Sequence, residues 1–196
     1  MNIERAAIST LAPPFDAETI SASDDVAARI IETQLDAGDG PCWDAVRTQV
    51  AVLVPRLDEV SNGRWPAFIR AIAGLPVQAI YSFPLTIGAL HIGAVDLYAE
   101  TTDALSPSAV EDATGLAAGA ASEVLEYVLR RRDDEPGDDG PFSRREVHQA
   151  TGMVIAQLRV PPDEALLLIR AHAYASGRPV REIAAEITAR RLTLDL

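Results

Sequence analysis

A chain of 196 residues, 48% of them apolar, has room for one large domain or two small ones and enough apolar content for a buried core. It holds no apolar run long enough to cross a bilayer, its start MNIERAAIST lacks the layout of a signal peptide, and its single cysteine, Cys42, excludes an internal disulfide. A cytoplasmic protein with no membrane partner is expected, and its net charge of −12 speaks against bulk attraction to nucleic acid.

In chain order, AAISTL and ETISAS flank the Pro-containing APPFDA and predict two strands. A helix follows: Ser23 can cap it, Asp24 and Asp25 suit its positive end, and Val26, Ile30, Ile31 and Leu35 form its apolar stripe until GDGP stops it. After residues 42–47 the Val- and Leu-rich QVAVLVPRL reads as a short buried strand. Asn62-Gly63 is a turn, and Trp65-Pro66 opens a helix with Phe68, Ile69 and Ile72 on one side and Gly74 at its end. Two strands, VQAIYSFPLT and ALHIGAVDLYAE, bend about Ile87-Gly88. The second has no polar face before Asp96 and belongs at the centre of the sheet.

Ser106-Pro107 starts the next helix, with the hydroxyl as cap and Pro at the first helical position. Running to Arg132, it is about 37 Å long at about 1.5 Å per residue, longer than a small domain needs, so its far end is expected to pack on a second copy in a homodimer. DDEPGDDGP breaks it. The chain therefore divides into residues 1–132, an acidic linker 133–141, and residues 142–196.

The charge divides at the same place. Residues 1–141 carry 9 Arg against 23 acids, a net −14, and residues 142–196 carry 8 Arg against 6 acids, a net +2. This last third reads as three short helices. Ser143 and Glu146 can form a capping box with Phe142 stapled onto Val147, and Val147, Ala150, Val154 and Leu158 make the first stripe. Pro162 opens the second helix, with Ala165, Leu168, Ile169, His172 and Ala173 inward and Gly177 at its end. Pro179 starts the third, whose stripe is Val180, Ile183, Ala184 and Ile187. On the second helix Arg170 and Tyr174 stand four apart and share a face, and Arg178 and Arg181 follow past the turn. An Arg beside an aromatic is what recognition of exposed RNA loop bases needs; a solvated Arg face with a half-buried Tyr is the plainer alternative.

No enzyme constellation is present: there is no phosphate-binding glycine loop and no paired Cys motif, and His91, His148 and His172 lack ligand spacing. Neither a metal nor a cofactor is expected, and Cys42 reads as packing.

Residues 6 to 130 resemble the GAF domains of actinobacterial regulators, carried by DGPCWDAV, AVLVPRL, RWPAFIRAI, the hairpin AIYSFPLTIGALHIGAVDLY and the helix after SPSAVEDATGLA. HQATGMVIAQL and DEALLLIRAHAYASGRPVREIAAEI resemble the ANTAR domain, an RNA-binding three-helix module of bacterial antitermination regulators, through Ala150, Gly152, Ala165, Arg170, Ala173 and Ala184. The two resemblances imply an α+β chain: a GAF-like antiparallel sheet with flanking helices, followed by a C-terminal three-helix ANTAR bundle.

The first resemblance implies a sensory domain that takes a small-molecule signal. Trp43, Trp65, Tyr81 and His91 could line its pocket, against a plainer reading as core in which His91 is a buried, hydrogen-bonded histidine and Asp96 a solvated strand end. The second implies a partner of structured RNA, stem-loops or paired hairpins, bound through Arg170, Tyr174, Arg178 and Arg181, with Thr151 where many members carry Lys. The expected function is control of transcription antitermination without catalysis. Two alternatives stand beside it, a helix-turn-helix DNA-binding regulator and a ligand-binding interaction protein with no nucleic-acid partner.

Overall fold

Alternating burial along two long strands builds the first half of the molecule. The computed structural model describes residues 3–11, 13–60, 63–133 and 142–195, and the chain divides into two units, Met1–Asp138 and Asp139–Leu196. In the first, β1 (Arg5–Thr10), β2 (Glu18–Ala22), β3 (Val52–Val54), β4 (Ala79–Ile87) and β5 (Leu90–Ala99) pair antiparallel in the order β2-β1-β5-β4-β3. The apolar run of β5 thus takes the centre of the sheet, as its sequence predicts.

One face of the sheet, with Ala7, Ile80, Ala94 and Tyr98, is covered by α1 (Asp25–Ala37), α2 (Pro41–Thr48) and α3 (Pro66–Ala71). The other, with Tyr81, Phe83, Leu85 and Ile92, lies under α4 (Pro107–Asp133). Gly93 is what lets β5 close on β1, because a Cβ there would lie 1.8 Å from the Ser9 carbonyl oxygen.

Several local expectations change. The cap of α1 is Asp24, which accepts the Ala27 amide at 2.7 Å, while Ser23 Oγ accepts the Ala6 amide at 3.0 Å and ties the helix entry to β1. Residues 41–48 form a helix the strand-oriented reading missed; Pro41 starts it, and Cys42, Ala45 and Val46 recur at helical spacing and are buried. QVAVLVPRL supplies only the three residues of β3. They stand at the sheet edge, so Leu53 is 42% exposed and the strand is not a buried one. Ser106 does cap α4, accepting the Ala109 amide at 3.2 Å. Asn62 of the expected turn, and residues 134–141 of the expected acidic linker, lie outside the described residues.

The second unit holds α5 (Arg145–Leu158), α6 (Pro162–Ser176) and α7 (Val180–Thr188). Its core is Val147, Ala150 and Val154 from α5, Ala165, Ile169 and Ala173 from α6, Val180, Ile183, Ala184 and Ile187 from α7, and Leu194 beyond it. The small residues in these stripes let three short helices approach closely. Leu168 and His172, expected inward, are only half-buried. The residue capping α5 is Arg144, one later than the box expects; Ser143 Oγ accepts the Arg145 amide at 3.3 Å. α6 ends in the Schellman pattern: Gly177 at φ 65 donates to Tyr174 O at 3.2 Å and Arg178 N donates to Ala173 O at 3.0 Å.

Candidate functional site

α6 exposes an apolar line where solvent would be cheaper to meet with polar residues. Leu167 is 63% and Tyr174 57% exposed, with the exposed Ala171 between them. Positions 167, 171 and 174 fall on one side of the helix, and Arg170 stands half-buried at its edge, one turn before Tyr174. A phenol ring with a guanidinium one turn away can stack on an unpaired base while holding a phosphate or base edge. Arg181, on the first turn of α7, is half-buried as well.

Two of the expected contacts have other employment. Arg178 has its guanidinium engaged within the chain: Nη1 and Nη2 donate to the two carboxylate oxygens of Glu186 at 3.1 and 3.0 Å, and Nε donates to Glu182 at 3.2 Å. The cause is the turn itself, which places Arg178 just past Gly177 and over the outward carboxylates of α7. The fork geometry suits a bidentate carboxylate, and the pairing raises the affinity of Arg178 for its proton, chiefly through Glu186, while lowering that of Glu186. Arg178 therefore fastens α6 to α7. Thr151 is half-buried and its hydroxyl donates to Val147 O at 2.7 Å, so it serves its own helix.

Arg144, which caps α5, is 4% exposed. Arg145 and Arg159 at the two ends of α5 are exposed.

The four residues considered for a pocket in the sheet domain do not converge. Trp43 and Trp65 belong to the face under α1–α3 and Tyr81 to the opposite face under α4. Trp43 Nε1 donates to Gln34 O at 2.9 Å, Trp65 Nε1 to Asp44 Oδ2 at 3.2 Å, and the Tyr81 hydroxyl to Asp103 O. Burial pushes the Tyr81 phenol up from its ordinary range. His91 is exposed rather than buried: it pairs with Thr86 beside the β4–β5 turn, where a register shift after Leu85 ends the regular alternation.

What the sequence concealed is a polar knot under α1 and α2. Asp96 is fully buried, not solvated: Gln34 Nε2 donates to its Oδ2 at 2.5 Å and the Tyr98 hydroxyl donates to the same atom at 3.2 Å. Gln34, itself buried, accepts the Cys42 amide at 2.9 Å. Burial pushes the Asp96 carboxyl up to about 6 against the opposing influence of Ser82, Gln34 and Tyr98. Ser82 stands directly across the strand pair, yet neither its Oγ, nor Ser9 Oγ, nor Asp96 Oδ1 has a well-formed hydrogen bond. Burial also pushes up the Cys42 thiol and the Tyr98 phenol, each with a further push from Asp96. The signal for this knot was Gln34 standing four residues after Ile30 in an otherwise apolar stripe.

Among the described residues no helix is long and apolar enough to cross a membrane, and no group of three or more His, Cys, Asp or Glu could hold a metal ion.

Residues 142–187 match the family model of the ANTAR domain. A comparison with curated proteins found no match. Among solved structures, the GAF domain region of a protein from Geobacter sulfurreducens PCA is similar at 11% identity, over 65% of this chain and 83% of that one, with a TM-score of 0.51. The GAF domain of the cyanobacteriochrome TePixJ is similar at 14% identity, over 65% and 80%, with a TM-score of 0.49. Type II free methionine-R-sulfoxide reductase from Thermoplasma acidophilum is similar at 18% identity, over 63% and 80%, with a TM-score of 0.48. At 11% identity the likeness to the Geobacter domain shows the fold alone.

Proposed function

From a chain that joins a GAF-fold sheet unit to an ANTAR domain, we propose a signal-responsive regulator that binds structured RNA through its last three helices and so controls transcription antitermination. The ANTAR match carries this reading. Tyr174 exposed beside Arg170 on α6 supports it physically, since a stacking ring and a cation one turn apart suit splayed loop bases. No catalytic step is required. Binding energy shifts one RNA fold against another, each 1.4 kcal/mol of preference being about tenfold in the ratio.

A DNA-reading helix is the weaker alternative. The outward carboxylates of α7, Glu182 and Glu186, are held by Arg178 and would meet a DNA backbone with the wrong sign. The first unit is proposed to receive a small-molecule signal. α4 is proposed to pair with a second copy through its outward side, where Leu116 is 75% exposed between the exposed Gly115 and Gly119. Two copies would then hold two hairpins at once, each raising the other's effective concentration.

The test is a gel-shift titration of the full chain with two-hairpin RNA and with duplex DNA across salt. Saturable hairpin binding that weakens in Arg170→Ala and Tyr174→Ala is expected. Preference for the duplex, or no binding by a folded protein, refutes the proposal.

A further inference from the structure

Asp44 gathers more positive charge than it can neutralise. Arg47, on the last turn of α2, donates Nη2 to its Oδ1, and Arg64 donates Nη2 to its Oδ2 at 3.1 Å. Arg5, by contrast, meets both Asp24 and Glu100, Arg56 meets both Asp58 and Glu59, and Arg131 meets Glu18. Residues 1–141 hold 9 Arg against 23 acids, so acids are in surplus and two cations on one carboxylate are not forced by composition. Holding the Asp44 ion in place needs one guanidinium. The second leaves a net positive charge and sets two like charges close together, which costs stability.

Both guanidiniums are held in place. Arg47 stands three residues after Asp44 along α2. Arg64 lies over the indole of Trp65, its guanidinium carbon 4.0 Å from the ring centroid. That ring is buried and donates its own Nε1 to Asp44 Oδ2 at 3.2 Å, so the indole, the carboxylate and Arg64 fix one another. To bring them together the chain takes Gly63 at φ 133 and Trp65 at φ 53, a left-handed backbone that a bulky residue rarely adopts. The two cations nevertheless stay in solvent: the side chains of Arg47 and Arg64 are 71% and 49% exposed, above an Asp44 that is 11% exposed. Each fork has donors beyond the one that Asp44 takes.

The two Nη2 atoms sit on the two oxygens of one carboxylate, hence no more than about 8 Å apart. A tetrahedral oxyanion accepting from each at about 2.8 Å spans that gap. One fork already satisfies a planar carboxylate, whereas a phosphoryl group has oxygens for both forks and charge enough to cancel the surplus. We propose that Arg47 and Arg64, seated on Asp44 and Trp65, form a surface site for a phosphoryl group, carried by a small phosphate ester or by free phosphate. This rests on the proposed reception of a small-molecule signal by the first unit and narrows it to a chemical class. Because Arg47 ends α2 and Arg64 precedes α3, the bound group ties the two helices together, and Trp65 registers it.

The experiment titrates the full chain with inorganic phosphate and with methyl phosphate at constant ionic strength, acetate serving as the planar anion. Tryptophan fluorescence reports the first unit alone, because Trp43 and Trp65 both belong to it. A saturable change is expected with the phosphates and not with acetate, the tighter of the two telling ester from free ion. Arg47→Gln and Arg64→Gln should each weaken it roughly tenfold; Arg64→Lys, which keeps the charge but not the fork, should weaken it less, and Arg56→Gln not at all. Arg47→Gln removes an exposed side chain and leaves Trp65 untouched, so its urea midpoint without phosphate should not fall below that of the wild type. Phosphate should raise the midpoint of the wild type and not that of Arg47→Gln. A response that does not saturate, that acetate reproduces, or that Arg47→Gln leaves intact overturns the site. If the phosphates fail but an uncharged compound from a metabolite panel raises the midpoint, this inference fails and the reception of a signal stands; if nothing on the panel does, both fail. If Arg47→Gln weakens the binding of two-hairpin RNA and not of methyl phosphate, the pair meets a nucleic-acid backbone and the small-molecule site is overturned.

Discussion

Replacing Asp96 by Asn tests the polar knot of the first unit most sharply. The carboxyl is carried from the ordinary 3.8 up to about 6, first by burial, and each tenfold change in proton affinity is worth about 1.4 kcal/mol. The folded state holds this proton more tightly than the unfolded chain. Its stabilising contribution is therefore complete below about pH 4 and is lost as pH rises through about 6, leaving a cost of about 3 kcal/mol in the ionised form. Asn keeps an oxygen for the Gln34 and Tyr98 donors and turns an amide towards the side now held by Oδ1, where Ser82 stands across the strand pair. Cys42 and Tyr98, the other titratable groups against it, are pushed up by burial and stay neutral through this window. Urea unfolding followed by tryptophan fluorescence reports this unit alone, because both tryptophans of the chain lie in it. Asp96→Asn should match the wild type near pH 3.5 and exceed it by up to about 3 kcal/mol at pH 8. A variant that is less stable by the same amount at every pH would refute the reasoning, since it would mean that the knot welcomes the carboxylate.

Three further outcomes follow from packing. Gly93→Ala drives a methyl group into the Ser9 carbonyl oxygen at 1.8 Å and should cost about 3 kcal/mol or more, read as loss of the cooperative unfolding transition of the first unit. Arg178→Ala removes the clamp on Glu182 and Glu186; it should lower the melting temperature of the second unit and make it less sensitive to salt, with little change in RNA affinity beyond that lost stability. Leu116→Glu on the outward side of α4 should convert the proposed dimer to a monomer in light scattering while circular dichroism stays unchanged.

The fold was legible wherever one period ran long enough to dominate. β4 and β5, the stripe of α1, and the three terminal helices all follow from spacing and from Pro and Gly at the joints. Short elements did not follow. α2 is eight residues, too few for a helical period to stand out between the GDGP break before it and the β-prone QVAVLVPRL after it. β3 is three residues, and nothing in its composition tells an edge from a centre. At the candidate site, sequence spacing put Arg170 and Tyr174 on one side of α6 but could not show that Arg178, just past the turn, faces two carboxylates of α7, because that depends on how the helices cross. Asp96 was misread for a related reason: whether a polar residue near a strand end is solvated is decided by α1 and α2 above it, and Gln34 was the only local sign.

The central claim is tested most directly by titrating the full chain, wild type and Tyr174→Ala, against two-hairpin RNA and against duplex DNA at several salt concentrations. Tyr174 is exposed, so its loss should leave the fold intact and remove one stacking contact. Saturable hairpin binding that weakens roughly tenfold in the variant is expected, with duplex DNA bound more weakly and only at low salt. Duplex binding as tight as hairpin binding, or hairpin binding that does not notice the loss of Tyr174, would contradict it.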